Sequence, residues 1–146
     1  AKLGDVAESQ FELMYTWVTR TGFDRPKISM GKLPKHVCYM PDYLIEEPAE
    51  GFFAPVWAEV QGCGQDQYFK FKEDKLEALL RWQTFSEMKV WFWLWDATNK
   101  RHFWISLDNL RQLNEKHGGV YDVFPEGKKY IRFPVETFVK EGKDAQ

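Results

Sequence analysis

Residues 90–96 read VWFWLWD, a near-continuous apolar run. A strand of that kind is covered on both faces, so it demands layers on either side of its sheet. The rest of the chain offers those layers. Apolar groups at Phe11, Met14, Tyr15 and Val18 give helical spacing over residues 5–20, with Asp5 as N-cap and Gly22 as stop. Leu76, Leu79, Leu80 and Trp82 mark a second helix over 73–85. Ser106 can cap a third over 107–116, before the Gly118-Gly119 stop. Extended segments are expected at 37–45 and 52–61, joined by EEPAEG into an antiparallel hairpin, with Pro55 at an edge or bulge of the second and Gly62 and Gly64 ending it. Residues 24–36 read as an irregular basic connection or a short edge strand. ATNKR turns the chain into a brief extended FWI at 103–105, and the tail folds as a hairpin around Pro125-Glu126-Gly127. The order implies an α/β fold, a mixed β-sheet flanked by helices in a layered sandwich. At 146 residues one domain suffices, with no linker or repeat to divide it.

Two of the extended segments carry charge where it is costly. In VWAEVQGCG (56–64) Glu59 interrupts an apolar strand, and in VCYMPDYLI (37–45) Asp42 interrupts another. A carboxylate in such a run is expensive to desolvate unless something pairs with it or coordinates it. Taken singly, each has a plain explanation: Asp42 as a turn acid after a proline, Glu59 on the solvated face of a strand. Placed together on neighbouring strands, the two can face the same side. Converging carboxylates repel, and a hard divalent cation such as Mg²⁺ removes that repulsion, taking one or two carboxylates plus water and phosphate.

Composition narrows the partners. The chain is 44% hydrophobic and 29% charged, ordinary for a soluble protein, and its aromatic share of 17% is high. No apolar stretch approaches the roughly 20 residues of a membrane helix, and AKLGDVAESQ has no signal-peptide core, so neither a membrane partner nor a targeting segment is expected. Cys38 and Cys63 make no disulfide framework and match no zinc spacing, which suits a reducing cytoplasm. The net charge of −2 and pI of about 6.0 do not advertise nucleic-acid binding, although a local basic face is enough for it. His36, His102 and His117 lack ligand spacing. Trp91, Trp93 and Trp95 are better explained by the core than by base stacking, whereas Trp104 and Tyr130 are candidates for exposed stacking platforms.

Pro41-Asp42, a gap of 16 residues, and Glu59-Val60-Gln61 in an apolar strand resemble the motif of the PD-(D/E)XK nuclease superfamily, of restriction endonuclease-like and Holliday junction resolvase-like enzymes. The resemblance covers about residues 5–96 and leaves the C-terminal helix and hairpin, 103–140, outside it. It implies a three-layer sandwich of 1–146 in which Asp42, Glu59 and the backbone carbonyl of Val60 hold Mg²⁺, with Mn²⁺ as substitute and Glu8 of the first helix as a further ligand. Gln61 stands where the family usually has Lys; it can donate a hydrogen bond but supplies no charge. Lys75, on the helical face of Ala78, Leu79 and Trp82, is the better source of the missing charge, with Lys72 second. Lys70 and Lys72, extended by Lys32 and Lys35, would contact phosphates. The implied activity is Mg²⁺-dependent hydrolysis of DNA phosphodiesters, duplex or branched, in the cytoplasm of a bacterial or phage-infected cell. A junction substrate would call for a homodimer to make paired cuts. Two alternatives stand beside it: an inactive DNA- or protein-binding relative, favoured by Gln61, and an interaction protein whose aromatic surface binds a partner.

Overall fold

The computed structural model describes residues 3–15, 18–21, 39–45, 54–117 and 120–144, the side chains of 115–117 and 141–144 excepted. A five-stranded mixed sheet is built from β1 (Val18–Arg20), β2 (Tyr43–Ile45), β3 (Val56–Cys63), β5 (Val90–Asp96) and β6 (Arg101–Ser106), in the order β1-β2-β3-β5-β6. Only β3 and β5 run parallel; they are joined through β4 (Tyr68–Lys72) and α2 (Glu73–Ser86). Strand β4 belongs to a second, antiparallel sheet, β4-β8-β7, with β7 at Val120–Val123 and β8 at Lys129–Pro134. Helix α1 (Leu3–Met14) covers one face of the large sheet. Helices α2, α3 (Leu107–His117) and α4 (Val135–Asp144), with the small sheet, cover the other. The α/β layer sandwich inferred from the apolar run at 90–96 is the architecture found.

Strand alternation sorts the core into two clusters. Ala58 and Val60 of β3 and Trp93 of β5 face α1, where they meet Ala7, Phe11 and Tyr15. Trp57, Phe92 and Leu94 point the other way, against Leu79, Leu110, Phe69, Phe71 and Phe138. Gly62 permits the close approach of α1: a Cβ there would lie 2.7 Å from the carbonyl oxygen of Leu3 and 3.1 Å from Cβ of Ala7. Gly62 therefore sits inside β3 rather than ending it; the strand runs on to Cys63. Cys63 is a buried free thiol whose pKa burial pushes up to about 12, while Cys38 lies outside the described residues. No helix among the described residues is long and apolar enough to cross a membrane.

Several boundaries differ from expectation. The first helix stops at Met14, and residues 18–20, read as its last turn, form the edge strand β1. β-Branched Val18 and Thr19 favour extended backbone, and pairing with Ile45 and Leu44 decides the matter. Asp5 lies within the first turn of α1 rather than capping it. In the expected strand at 37–45 the described residues 39–42 are not extended and β2 begins at Tyr43, while 37–38 and the basic segment 24–36 lie outside the described residues. Strand β4 and helix α4 were not anticipated. YFKFK does alternate, with Phe69 and Phe71 buried, but it runs into α2 with no turn residue to separate the two. Ser106 caps α3 as expected, accepting from the Asn109 N–H at 3.0 Å. Tyr130 is no stacking platform: it is buried, with its hydroxyl donating to Asp122 at 3.2 Å. Trp104 is half-buried and donates from Nε1 to the Tyr15 hydroxyl at 3.3 Å.

The contact at Gly62 yields a quantitative expectation. Gly62→Ala must push α1 away from β3, a fixed backbone clash, and should cost about 1–3 kcal/mol in chemical denaturation. Gly64→Ala would meet only the Leu3 side chain, at 3.3 Å, which can rotate. It should cost less than half as much.

Candidate active site

The β2–β3 register pairs Tyr43 with Ala58, so continuing it by one residue sets Asp42 opposite Glu59. Directly opposed residues of an antiparallel pair share a face. Two reciprocal hydrogen bonds lock the arrangement: the Asp42 N–H donates to Glu59 Oε1 at 3.1 Å, and the Val60 N–H donates to Asp42 Oδ2 at 2.9 Å. The backbone around Asp42 is held from outside by Thr21, whose N–H donates to the Asp42 carbonyl at 2.8 Å and whose hydroxyl donates to the Pro41 carbonyl at 2.8 Å.

Glu59 is only 1% exposed. Its Oε2 forms an ion pair with Lys75 Nζ, which reaches down from the first turn of α2. Burial first, and then the nearby Asp42 charge, raise the Glu59 pKa to about 8, outweighing the opposing pull of Lys75. Burial makes a second negative charge beside Asp42 costly, and Lys75 offsets that cost in part.

The remaining candidates are distributed around this trio. Gln61, on the same face of β3, donates from Nε2 to the Lys70 carbonyl and so joins β3 to β4. Lys72 does not turn toward the acids; its Nζ lies 5.7 Å from the centre of the Phe124 ring. Lys70 pairs with Asp66 at 2.9 Å. Glu8 is half-buried on α1 and bonded by Arg20 at 3.2 Å; burial and then the Asp42 charge raise its pKa, so it lies within electrostatic reach of the pair. Among the described residues no three His, Cys, Asp or Glu side chains converge as a metal cluster, so Glu8 does not complete a triad with Asp42 and Glu59. Lys32 and Lys35 lie outside the described residues. Thr21, Arg20 and Tyr39 were missed as neighbours of the site; their sequence context carries no signal, because the fold alone brings them to Asp42, Glu8 and the β7–β8 turn.

The donor set fits Mg²⁺. Two carboxylates on rigid adjacent strands are the hard oxygen ligands that the ion takes alongside water and substrate phosphate.

This arrangement, acids on an antiparallel pair whose second strand runs parallel to a covered neighbour, lies in a fold shared with a solved Holliday junction resolvase. Hjc, a Holliday junction resolvase from the archaeal hyperthermophile Archaeoglobus fulgidus, has a similar structure, with a TM-score of 0.56 over 95% of this chain and 89% of that one at 10% identity. D212, a nuclease from a fusselovirus, aligns with a TM-score of 0.48 over 91% of this chain and 77% of that one at 13% identity. No family model and no curated protein sequence matches the chain.

The raised Glu59 pKa has a definite sign. Between the ordinary carboxylate value of 4.5 and about 8 the native state binds more protons than the unfolded chain, so the stability this proton confers is lost as pH rises through that window. In EDTA the melting temperature should therefore fall from pH 5 to pH 8. Glu59→Gln, which cannot ionise, should flatten that slope; an unchanged slope would mean that Glu59 is already ionised at pH 5.

Proposed function

We propose that this chain is a Mg²⁺-dependent endonuclease that hydrolyses phosphodiester bonds in DNA, with branched DNA as the substrate to test first. The observation that carries the reading is the convergence of Asp42, Glu59 and Lys75, two acids and one ammonium contributed by three elements of the fold. The likeness in fold to a Holliday junction resolvase supports it.

In this reading Asp42, Glu59 and the Val60 carbonyl would hold the ion. Mg²⁺ bound there would supply Lewis acidity toward the scissile phosphate and toward the attacking water. Lys75 is paired with Glu59 at the same site. Its Nζ can donate to the attacking water and offset charge growing on the phosphate oxygens. Water adds to phosphorus as one P–O ester bond breaks, leaving a phosphomonoester and a hydroxyl. Gln61 has one amide hydrogen committed to Lys70, so its contribution is to orient rather than to carry charge.

The same Gln61 bond favours a second reading, an inactive DNA-binding relative, because it turns the motif position to structural use. Cleavage of labelled duplex, single-stranded and four-way-junction DNA in Mg²⁺, Mn²⁺ or EDTA separates the two. The nuclease requires metal-dependent cutting that Asp42→Ala and Glu59→Ala reduce by about 10³-fold or more and Lys75→Ala by roughly 10²–10³-fold. Binding without cutting in either metal would favour the inactive relative.

A further inference from the structure

The small sheet β4-β8-β7 lies outside the catalytic pair, and its outer face has an unusual electrostatic construction. Register pairs Lys70 with Arg132 and Lys72 with Tyr130, opposite in direction to the buried Phe69, Phe71, Ile131 and Phe133. Three cations here rest on aromatic rings. Lys72 Nζ lies 5.7 Å from the Phe124 ring centre, Lys128 Nζ 5.9 Å from that of Tyr39, and the Arg132 guanidinium 4.9 Å from that of Tyr68. Among the described residues none of the three has a carboxylate within ion-pair distance. A ring orients a cation without neutralising it, although Asp66 and Asp122 act electrostatically on Arg132 from beyond ion-pair distance. The Arg132 Nε is buried and finds no acceptor among the described residues.

The face also has a fixed relation to the catalytic residues. Lys72 precedes Lys75 by three residues at the start of α2, and Tyr39 precedes Asp42 by three. The β7–β8 turn connects them: Phe124 lies under Lys72, and Lys128 reaches Tyr39, donating to its hydroxyl at 3.3 Å. On a chain of net charge −2, Lys70, Lys72, Lys128, Lys129 and Arg132 outnumber Asp66, Asp122 and Glu126 in this region.

We infer that the outer face of the small sheet, from the Lys72–Phe124–Lys128 rim to Arg132, binds the sugar–phosphate backbone of the DNA strand flanking the scissile phosphate. The inference rests on the nuclease reading for its ligand but on its own residues for its place. Phosphate contact by ring-held cations is independent of base sequence, so the surface would hold a strand in position rather than choose a site.

The test is fluorescence anisotropy of labelled four-way-junction and duplex DNA with the full chain in EDTA, across 50–200 mM KCl. Lys128→Ala and Arg132→Ala are compared with Arg111→Ala on α3, and thermal melting checks that all are folded. Each of the first two should weaken binding by roughly 3–10-fold at low salt and lower the slope of log K against log [salt] by about 0.9, the release of one phosphate's counterions. Arg111→Ala should bind as wild type. Wild-type affinity and slope in both sheet variants would overturn the inference while leaving the nuclease standing. Absence of DNA binding by the wild type would overturn it too, and cutting in Mg²⁺ would then show separately whether the nuclease reading survives.

Discussion

A carboxylate buried in the middle of a sheet sets the terms for this fold. Glu59 has β2 on one side, β5 on the other and α2 above it, and nearly all of its surface is removed from water. Burial of a lone carboxylate costs several kcal/mol even after relaxation, so each neighbour must offset part of it. The Asp42 N–H does so only if β2 keeps its register, and Lys75 only if α2 presents its first turn to β3. An apolar residue at 59 would make a more stable sheet. The acid instead places a costly carboxylate beside Asp42, held in place by Lys75.

Asp96 shows the contrast within the same sheet. It too is fully buried, but it accepts from Gln67 Nε2, Asn99 Nδ2, Arg101 Nε and the backbone N–H groups of Thr98 and Asn99. Burial pushes its pKa up, yet these donors outweigh that and hold it down to about 2. Asp96 is thus an anchor, fixing the β5–β6 turn and the approach to β4. Glu59, with fewer donors and another carboxyl group opposite, is held in the other direction. Two buried acids in one sheet thus have environments that drive their pKa values in opposite directions.

How much of this was written legibly in the sequence follows from the range of each interaction. Strand β5 and helices α2 and α3 could be read because their apolar spacing is local, and Lys75 could be placed toward the sheet from the same helical spacing. The pairing of Asp42 with Glu59 was accessible because both interrupt apolar runs that a short connection brings together. Strand β1 was not, since Val18 continues a helical spacing and only pairing with β2 makes it extended. The small sheet escaped for the same reason: its partners, β4 and β8, are about 60 residues apart, and Lys70 and Lys72 look like the start of a helix until Arg132 and Tyr130 come alongside. A position such as Arg20, which reaches Glu8 across the sheet edge, leaves no trace in either segment alone.

The substitution at Gln61 and the position of Lys75 are best understood as one arrangement. A lysine at 61 would place an ammonium on the α2 side of β3, two residues from Glu59 and near the carboxyl group that Lys75 already holds. Lys75 already supplies an ammonium to that carboxyl group from the helix. Glutamine then does what lysine could do only with its charge buried: it donates a neutral hydrogen bond to the Lys70 carbonyl. That bond ties β4 to β3 just before α2 begins, which helps to aim the first turn carrying Lys75. The strand position serves placement, and the charge stands two elements later in the chain, on α2.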